Sequence, residues 1–222
     1  MSQTVPVLRA FLFDLDGTLI DSVLDLATSV NAMLREMGRA QLPTELVTTF
    51  VGHGAPQLVA SALGPDATDE QRHTGLSLFM THYEQHELDA TSPYPGVIEG
   101  LDLLSGFPMS VLSNKPTAMS IEILRGLGLA KYFRSISGGD SFEKKKPDPA
   151  GALSIVRELG VPPAQAAMVG DSEVDVQTAR NAGMFSVIVN YGFGVNDRAA
   201  YPADLYIDSL RDLVRLVPDH RP

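Results

Sequence analysis

Leu8-Arg-Ala-Phe-Leu-Phe-Asp14-Leu-Asp16-Gly-Thr-Leu19 decides how this chain is read. An apolar run of strand length ends in two carboxylates, one residue apart, where Gly17 lets the chain turn. One of the two side chains can serve as a nucleophile, and the other as an acid or base beside it. Two carboxylates confined together repel each other and invite a hard cation. Acidic turns after strands are common, so the rest of the chain must supply partners.

Outward from this stretch the pattern divides in two. Residues 20–93 read as helices only. Asp21 or Ser22 caps a helix to Met37, with Val23, Leu26, Val30 and Leu34 on one face. Helical patterns continue over Thr44–Phe50, Ala55–Leu63 and Asp69–Leu88. Ser92-Pro-Tyr-Pro-Gly96 is a break that marks a boundary. Beyond it strands and helices alternate. Strands are expected at Met109–Leu112, Phe133–Ser137, Ala166–Val169, Phe185–Val189 and Asp204–Ile207. Helices are expected at Val97–Ser105, Pro116–Leu127, Asp148–Leu159, Glu173–Ala182 and Ser209–Leu216. Alternation of this kind predicts an α/β fold with a doubly wound parallel sheet, which binds ligands beyond the carboxyl ends of its strands. The expected division is a Rossmann-like core of residues 1–19 and 94–222, with a helical insertion of residues 20–93 as its lid.

Composition narrows the function. The chain has 222 residues, 44% of them hydrophobic, enough for a large packed core. Its net charge of −10 argues against nucleic acid and anionic membranes as partners, although a metal and a few lysines can reverse the sign locally. With no cysteine, disulfides, thiolate metal sites and cysteine nucleophiles are excluded. Met1–Pro6 shows no leader pattern, and no run is apolar enough for a membrane helix, so a cytoplasmic location is the expectation.

Three further features fall at strand ends. Ser113-Asn114-Lys115 places a hydroxyl, an amide and backbone N–H groups before a helix, an arrangement that suits phosphate or simple capping. Lys144-Lys145-Lys146-Pro147 puts three cations in an acidic chain. The first two read as a solvated run, whereas Lys146, held before a stiff proline, can act as a fixed charge for phosphate. Gly170-Asp171-Ser-Glu-Val-Asp175 sets two more acids across a helix start. Capping explains one acid at each place, but not acids gathered at two strand ends of one sheet.

These four features resemble, in order and in relation to strands, the four motifs of the haloacid dehalogenase-like superfamily. The resemblance covers essentially the whole chain and implies a Mg-dependent phosphatase with a helical cap. It assigns the nucleophile to Asp14, the acid/base to Asp16, and phosphate binding to Ser113, Asn114 and Lys146. It assigns Mg²⁺ to the side chains of Asp14 and Asp171 and the main-chain carbonyl of Asp16. Asp175 would orient Lys146 or a metal-bound water. Val174 departs from the family pattern, where many relatives carry asparagine.

Substrate choice would rest with the cap. Phe50-Val-Gly52-His53-Gly54-Ala-Pro-Gln-Leu-Val59, together with Thr-Ala-Arg-Asn-Ala-Gly183, resembles the phosphoglycolate phosphatase-type subgroup. The resemblance implies a small phosphorylated metabolite, 2-phosphoglycolate, as substrate. Gly52 and Gly54 would allow close backbone approach. His53 would bind the substrate carboxylate or close the lid, or else be a hinge or surface histidine. His73, His82, His86 and His220 read as surface or helix residues. A sugar-phosphate phosphatase or phosphomutase keeps the same four motifs. A dehalogenase would lack Asp16, and a phosphonate hydrolase would need a cap lysine, but residues 20–93 contain none. A receiver-type signalling module is shorter and carries adjacent acids after its first strand. The chain is expected to act as a monomer or homodimer.

Overall fold

The computed structural model describes residues 7–194 and 198–218. Met1–Pro6 and His220 lie outside the described residues. The centre is a six-stranded sheet in the order β5-β4-β1-β6-β7-β8, parallel throughout. The strands are β1 (Ala10–Phe13), β4 (Met109–Leu112), β5 (Ile136–Ser137), β6 (Ala166–Gly170), β7 (Phe185–Val189) and β8 (Leu205–Ile207). β1 and β6 read as unbroken apolar runs, and β4 is interrupted only by the buried Ser110, because both of their faces are covered.

Alternation along β1 distributes its side chains between two cores. Phe11 and Phe13 pack on one face with Leu101, Leu210 and Leu213. Ala10 and Leu12 pack on the other with Ala152, Ile155 and Ala179. The covering helices are α5 (Val97–Leu103), α6 (Thr117–Gly126), α7 (Ala150–Glu158) and α8 (Glu173–Ala182). Register then sets the site. Phe13 pairs with Val111 on one side and Val169 on the other, so Asp14, Ser113 and Asp171 leave neighbouring strands at nearly one level. The chain moves outward from β1 through β4 to β5, then returns to β6 and leaves in the opposite direction. That reversal opens the crevice where such sheets hold ligands.

Between β1 and β4 lie β2 (Ile20–Asp21), four helices and β3 (Ser92–Pro93). The helices are α1 (Val23–Glu36), α2 (Thr44–Thr48), α3 (Ala55–Leu63) and α4 (Asp69–His86). α1 and α4 pack together through Leu26, Val30, Met33, Phe79 and Tyr83, and α3 adds Leu58 and Val59. A capping box starts α4, in which Thr68 and Gln71 satisfy each other's backbone N–H groups.

Several expected boundaries shift. β2 and β3 pair antiparallel, although no strand is expected from the sequence there; two-residue strands are too short to show a period. The strand expected over 133–137 contracts to Ile136–Ser137, an edge strand that pairs, among the described residues, only with β4. The final helix is a 3₁₀ segment, Leu210–Leu216. Ser22 precedes α1 without capping it, because its hydroxyl donates to Asp16 instead, at 2.6 Å. Asp21 takes the local role, its Oδ1 accepting from the Val23 N–H at 3.2 Å.

Candidate active site

Asp14, Asp16, Ser113, Asn114, Lys146, Asp171 and Asp175 converge at the carboxyl ends of β1, β4 and β6. Asp14 is buried, and its Oδ1 accepts from the Leu15 N–H at 2.7 Å and faces Lys146 Nζ at 2.9 Å. Lys146 Nζ also donates to Asp175 Oδ1 at 2.7 Å. The other oxygen of Asp175 accepts from Ser172 Oγ at 2.7 Å, the Ser172 N–H at 3.1 Å and the Asp171 N–H at 3.3 Å. Asp175 therefore fixes both the lysine and the turn that carries Asp171. Gly170 makes room for it, since a Cβ there would collide with the Asp175 carboxylate. Asp171 Oδ2 accepts from the Phe193 N–H at 2.8 Å, and Thr18 Oγ1 lies 3.3 Å from its Oδ1.

The electrostatics are unbalanced. Asp14, Asp171 and Asp175 bring carboxylate oxygens within 4.8 Å of one another, against the single ammonium of Lys146. Burial, partly offset by Lys146, raises Asp14 to about 6. Burial and the charges of Asp175 and Asp14 hold Asp171 well above the ordinary carboxylate range. Burial opposes the charge on Lys146, but Asp14 and Asp175 outweigh it and hold its pKa above the ordinary lysine value. This donor set, all oxygen and short of positive charge, fits a hard divalent cation. Asp175 is committed to hydrogen bonds, which leaves Asp14 and Asp171 as the acids suited to hold one.

Asp16 stands apart from this cluster. Its Oδ1 accepts from Ser22 Oγ, and its Oδ2 lies 3.1 Å from Lys115 Nζ. Lys115 is buried, donates to Tyr83 Oη at 2.9 Å and lies 4.5 Å from the centroid of that ring. Sequence reasoning missed Lys115. The available signal was its place two residues after Ser113 at a strand end; its partners Asp16 and Tyr83 are set by tertiary structure alone. Asn114 Nδ2 donates to the carbonyls of Gly52 at 2.9 Å and Lys146 at 3.1 Å, while its Oδ1 is buried without a partner. Ser113 is buried, and its Oγ accepts from the Lys115 N–H at 3.3 Å.

The loop before α3 reaches the same place. A Cβ on Gly54, whose φ is +87°, would press on the Asn114 carbonyl at 3.0 Å. Gly52 faces open space, and its φ of +119° is what calls for glycine. His53 is exposed and lines a cavity shared by Asp16, Asp171, Glu173, Val174 and Phe193. A second cavity holds Asp14, Asp16, Ser113, Asn114 and Lys115, beneath side chains from α3 and α4. Lys144 and Lys145 are exposed, and Lys144 lies 3.6 Å from Asp148.

Comparison with known proteins places this arrangement. Residues 11–189 match the haloacid dehalogenase-like hydrolases. The chain belongs to that family. A phosphoglycolate phosphatase of Pseudomonas savastanoi pv. phaseolicola is 44% identical over 216 residues, covering 93% of this chain and 78% of the relative. One from Chromobacterium violaceum is 38% identical, covering 95% of this chain and 96% of the relative. The crystal structure of a predicted phosphoglycolate phosphatase from Haemophilus somnus 129PT superposes with a TM-score of 0.88 at 31% identity, covering 97% of this chain and 99% of that one. The dehalogenase-like fold thus extends across both the sheet and the helical stretch between β1 and β4. Among the described residues no helix is long and apolar enough to cross a membrane.

Proposed function

We propose that this haloacid dehalogenase-like hydrolase removes phosphate from 2-phosphoglycolate through an aspartyl-phosphate on Asp14. The observation that carries the reading is the buried Asp14 carboxylate, paired with Lys146 and facing Asp171, in a family whose curated relatives at 38–44% identity are phosphoglycolate phosphatases. Uncatalysed hydrolysis of a phosphate monoester is extremely slow, so the site must supply an in-line nucleophile, positive charge and a proton.

Asp14 attacks phosphorus. The ester P–O bond breaks and its electron pair leaves with the glycolate oxygen, which takes a proton from Asp16. Asp16 then removes a proton from water as that water attacks the phosphorus of the aspartyl-phosphate. The bond to Asp14 breaks, and inorganic phosphate departs. Lys146, the Ser113 hydroxyl and the Asn114 backbone N–H hold the phosphoryl oxygens, the Asn114 side-chain amide being committed to Gly52 and Lys146. The Asp14 and Asp171 side chains and the Asp16 main-chain carbonyl would hold Mg²⁺, whose positive charge would let an anionic nucleophile and an anionic substrate meet. Asp175 orients Lys146 through its 2.7 Å bond.

Residues 20–93 act as a cap over a core of residues 1–19 and 94–222. The Gly52-His53-Gly54 loop closes on the substrate, with His53 at its rim. The enzyme works in the cytoplasm as a monomer or homodimer. The test is phosphate release with Mg²⁺ from 2-phosphoglycolate, set beside sugar phosphates, nucleotides and pyrophosphate. Wild-type protein should prefer phosphoglycolate, and Asp14→Asn should lose at least about 1,000-fold in kcat. Preference for another ester would overturn the substrate, and full activity in the variant would overturn the mechanism.

A further inference from the structure

We propose that Lys115 selects the substrate by receiving its second anionic group, a carboxylate, in the cavity beside Asp16. This rests on the phosphatase reading above. A lysine is rarely buried unless paired, and the Lys115 side chain is only 5% exposed. It sits in the cavity that contains Asp14, Asp16 and Ser113, and it is the only cation among the described residues lining that cavity. Lys146 does not line it, and is engaged between Asp14 and Asp175.

The rest of the cavity wall sharpens the argument. Leu26, Leu58, Phe79, Met80 and Met119 offer a carboxylate nothing. An anion that entered beside them unpaired would lose its hydration without return. Lys115 resolves this by exchange. It now pairs with Asp16 Oδ2 at 3.1 Å, and a substrate carboxylate can take that place, one ion pair replacing another. Tyr83 keeps its hydrogen bond to Nζ at 2.9 Å and holds the ammonium in position meanwhile. The same exchange frees an oxygen of Asp16 beside the ester. A phosphate ester with no second anion cannot drive it.

The experiment compares kcat/KM for 2-phosphoglycolate and for ethyl phosphate, which lacks the carboxylate, in wild-type, Lys115→Met and Lys115→Arg proteins. Wild type should favour phosphoglycolate. Lys115→Met should shrink that preference by about 100-fold, chiefly through a higher KM for phosphoglycolate. Lys115→Arg should recover part of it. A residue that merely supports Asp16 or Tyr83 would slow both esters alike, so an unchanged ratio in Lys115→Met would overturn the proposal. Absence of any wild-type preference for the carboxylated ester would overturn it equally. Should Lys115→Met fail to fold, Lys115→Gln carries the same comparison. If wild type releases phosphate from neither ester, the phosphoglycolate reading fails, and Lys115 is then judged by calorimetric binding of 2-phosphoglycolate. At least tenfold weaker binding by the variant supports it, and equal affinity overturns it.

Discussion

Asp14 has to be both ionised and close to a phosphate dianion, two demands that conflict in a buried site. The protein sets one fixed ammonium against a surplus of carboxylate. Lys146 stands 2.9 Å from Asp14 but is shared with Asp175 at 2.7 Å, so it neutralises only part of the cluster. The remainder appears as proton affinity, with Asp14 raised to about 6 and Asp171 well above its ordinary range. In metal-free protein the sign is clear. Asp14 favours the folded state fully below its ordinary 3.8, and that contribution is lost as pH rises through about 6. A divalent cation needs the ionised form, so Mg²⁺ binding should release protons, and its affinity should fall by at least about tenfold per pH unit below 6. Calorimetry at pH 5.5 and 7.5, in buffers of different ionisation enthalpy, measures both. Equal affinity with no proton release at pH 5.5 would contradict this account of the cluster.

At the scale of elements, the connection between the sheet and the helices α1–α4 is built around one acid. Asp25 in α1 is buried, and its Oδ2 accepts from the Thr91 N–H at 2.8 Å, Thr91 Oγ1 at 2.7 Å and the Ala90 N–H at 3.0 Å. It ties the start of the helical stretch to its end, beside the β2–β3 pair. Asp25→Ala would leave two backbone N–H groups without their acceptor, and should cost about 2–3 kcal/mol in urea unfolding. A loss under about 0.5 kcal/mol would mean that water or a neighbour replaces the carboxylate.

This scale also separates what was legible from what was not. α3 and α8 were readable because each carries a helical period, and β4 and β7 because each is a short, mostly apolar run. β2 and β3 were not, because two residues carry no period and their pairing spans the helical stretch. Likewise the acids at strand ends announce themselves in the sequence. The role of Lys115 does not: Tyr83 lies 32 residues away and Asp16 much farther, and only folding brings them together.

For the molecule as a whole, the order β5-β4-β1-β6-β7-β8 explains why four separated stretches of sequence form one site. β1, β4 and β6 are adjacent and parallel, so whatever follows each strand meets at one edge. The helical stretch leaves and re-enters at that edge, which brings Gly52, Gly54 and Tyr83 over it. On this account the sheet holds the chemistry and the helices hold the selection. The central claim is a covalent bond between Asp14 and phosphorus, and borohydride trapping during turnover of 2-phosphoglycolate tests it most directly. Borohydride reduces an aspartyl-phosphate to homoserine, which mass spectrometry locates in the peptide. Homoserine at position 14, dependent on both substrate and Mg²⁺, is the predicted result. Conversion at Asp16 or Asp171 instead, or steady phosphate release with no residue converted, would contradict it.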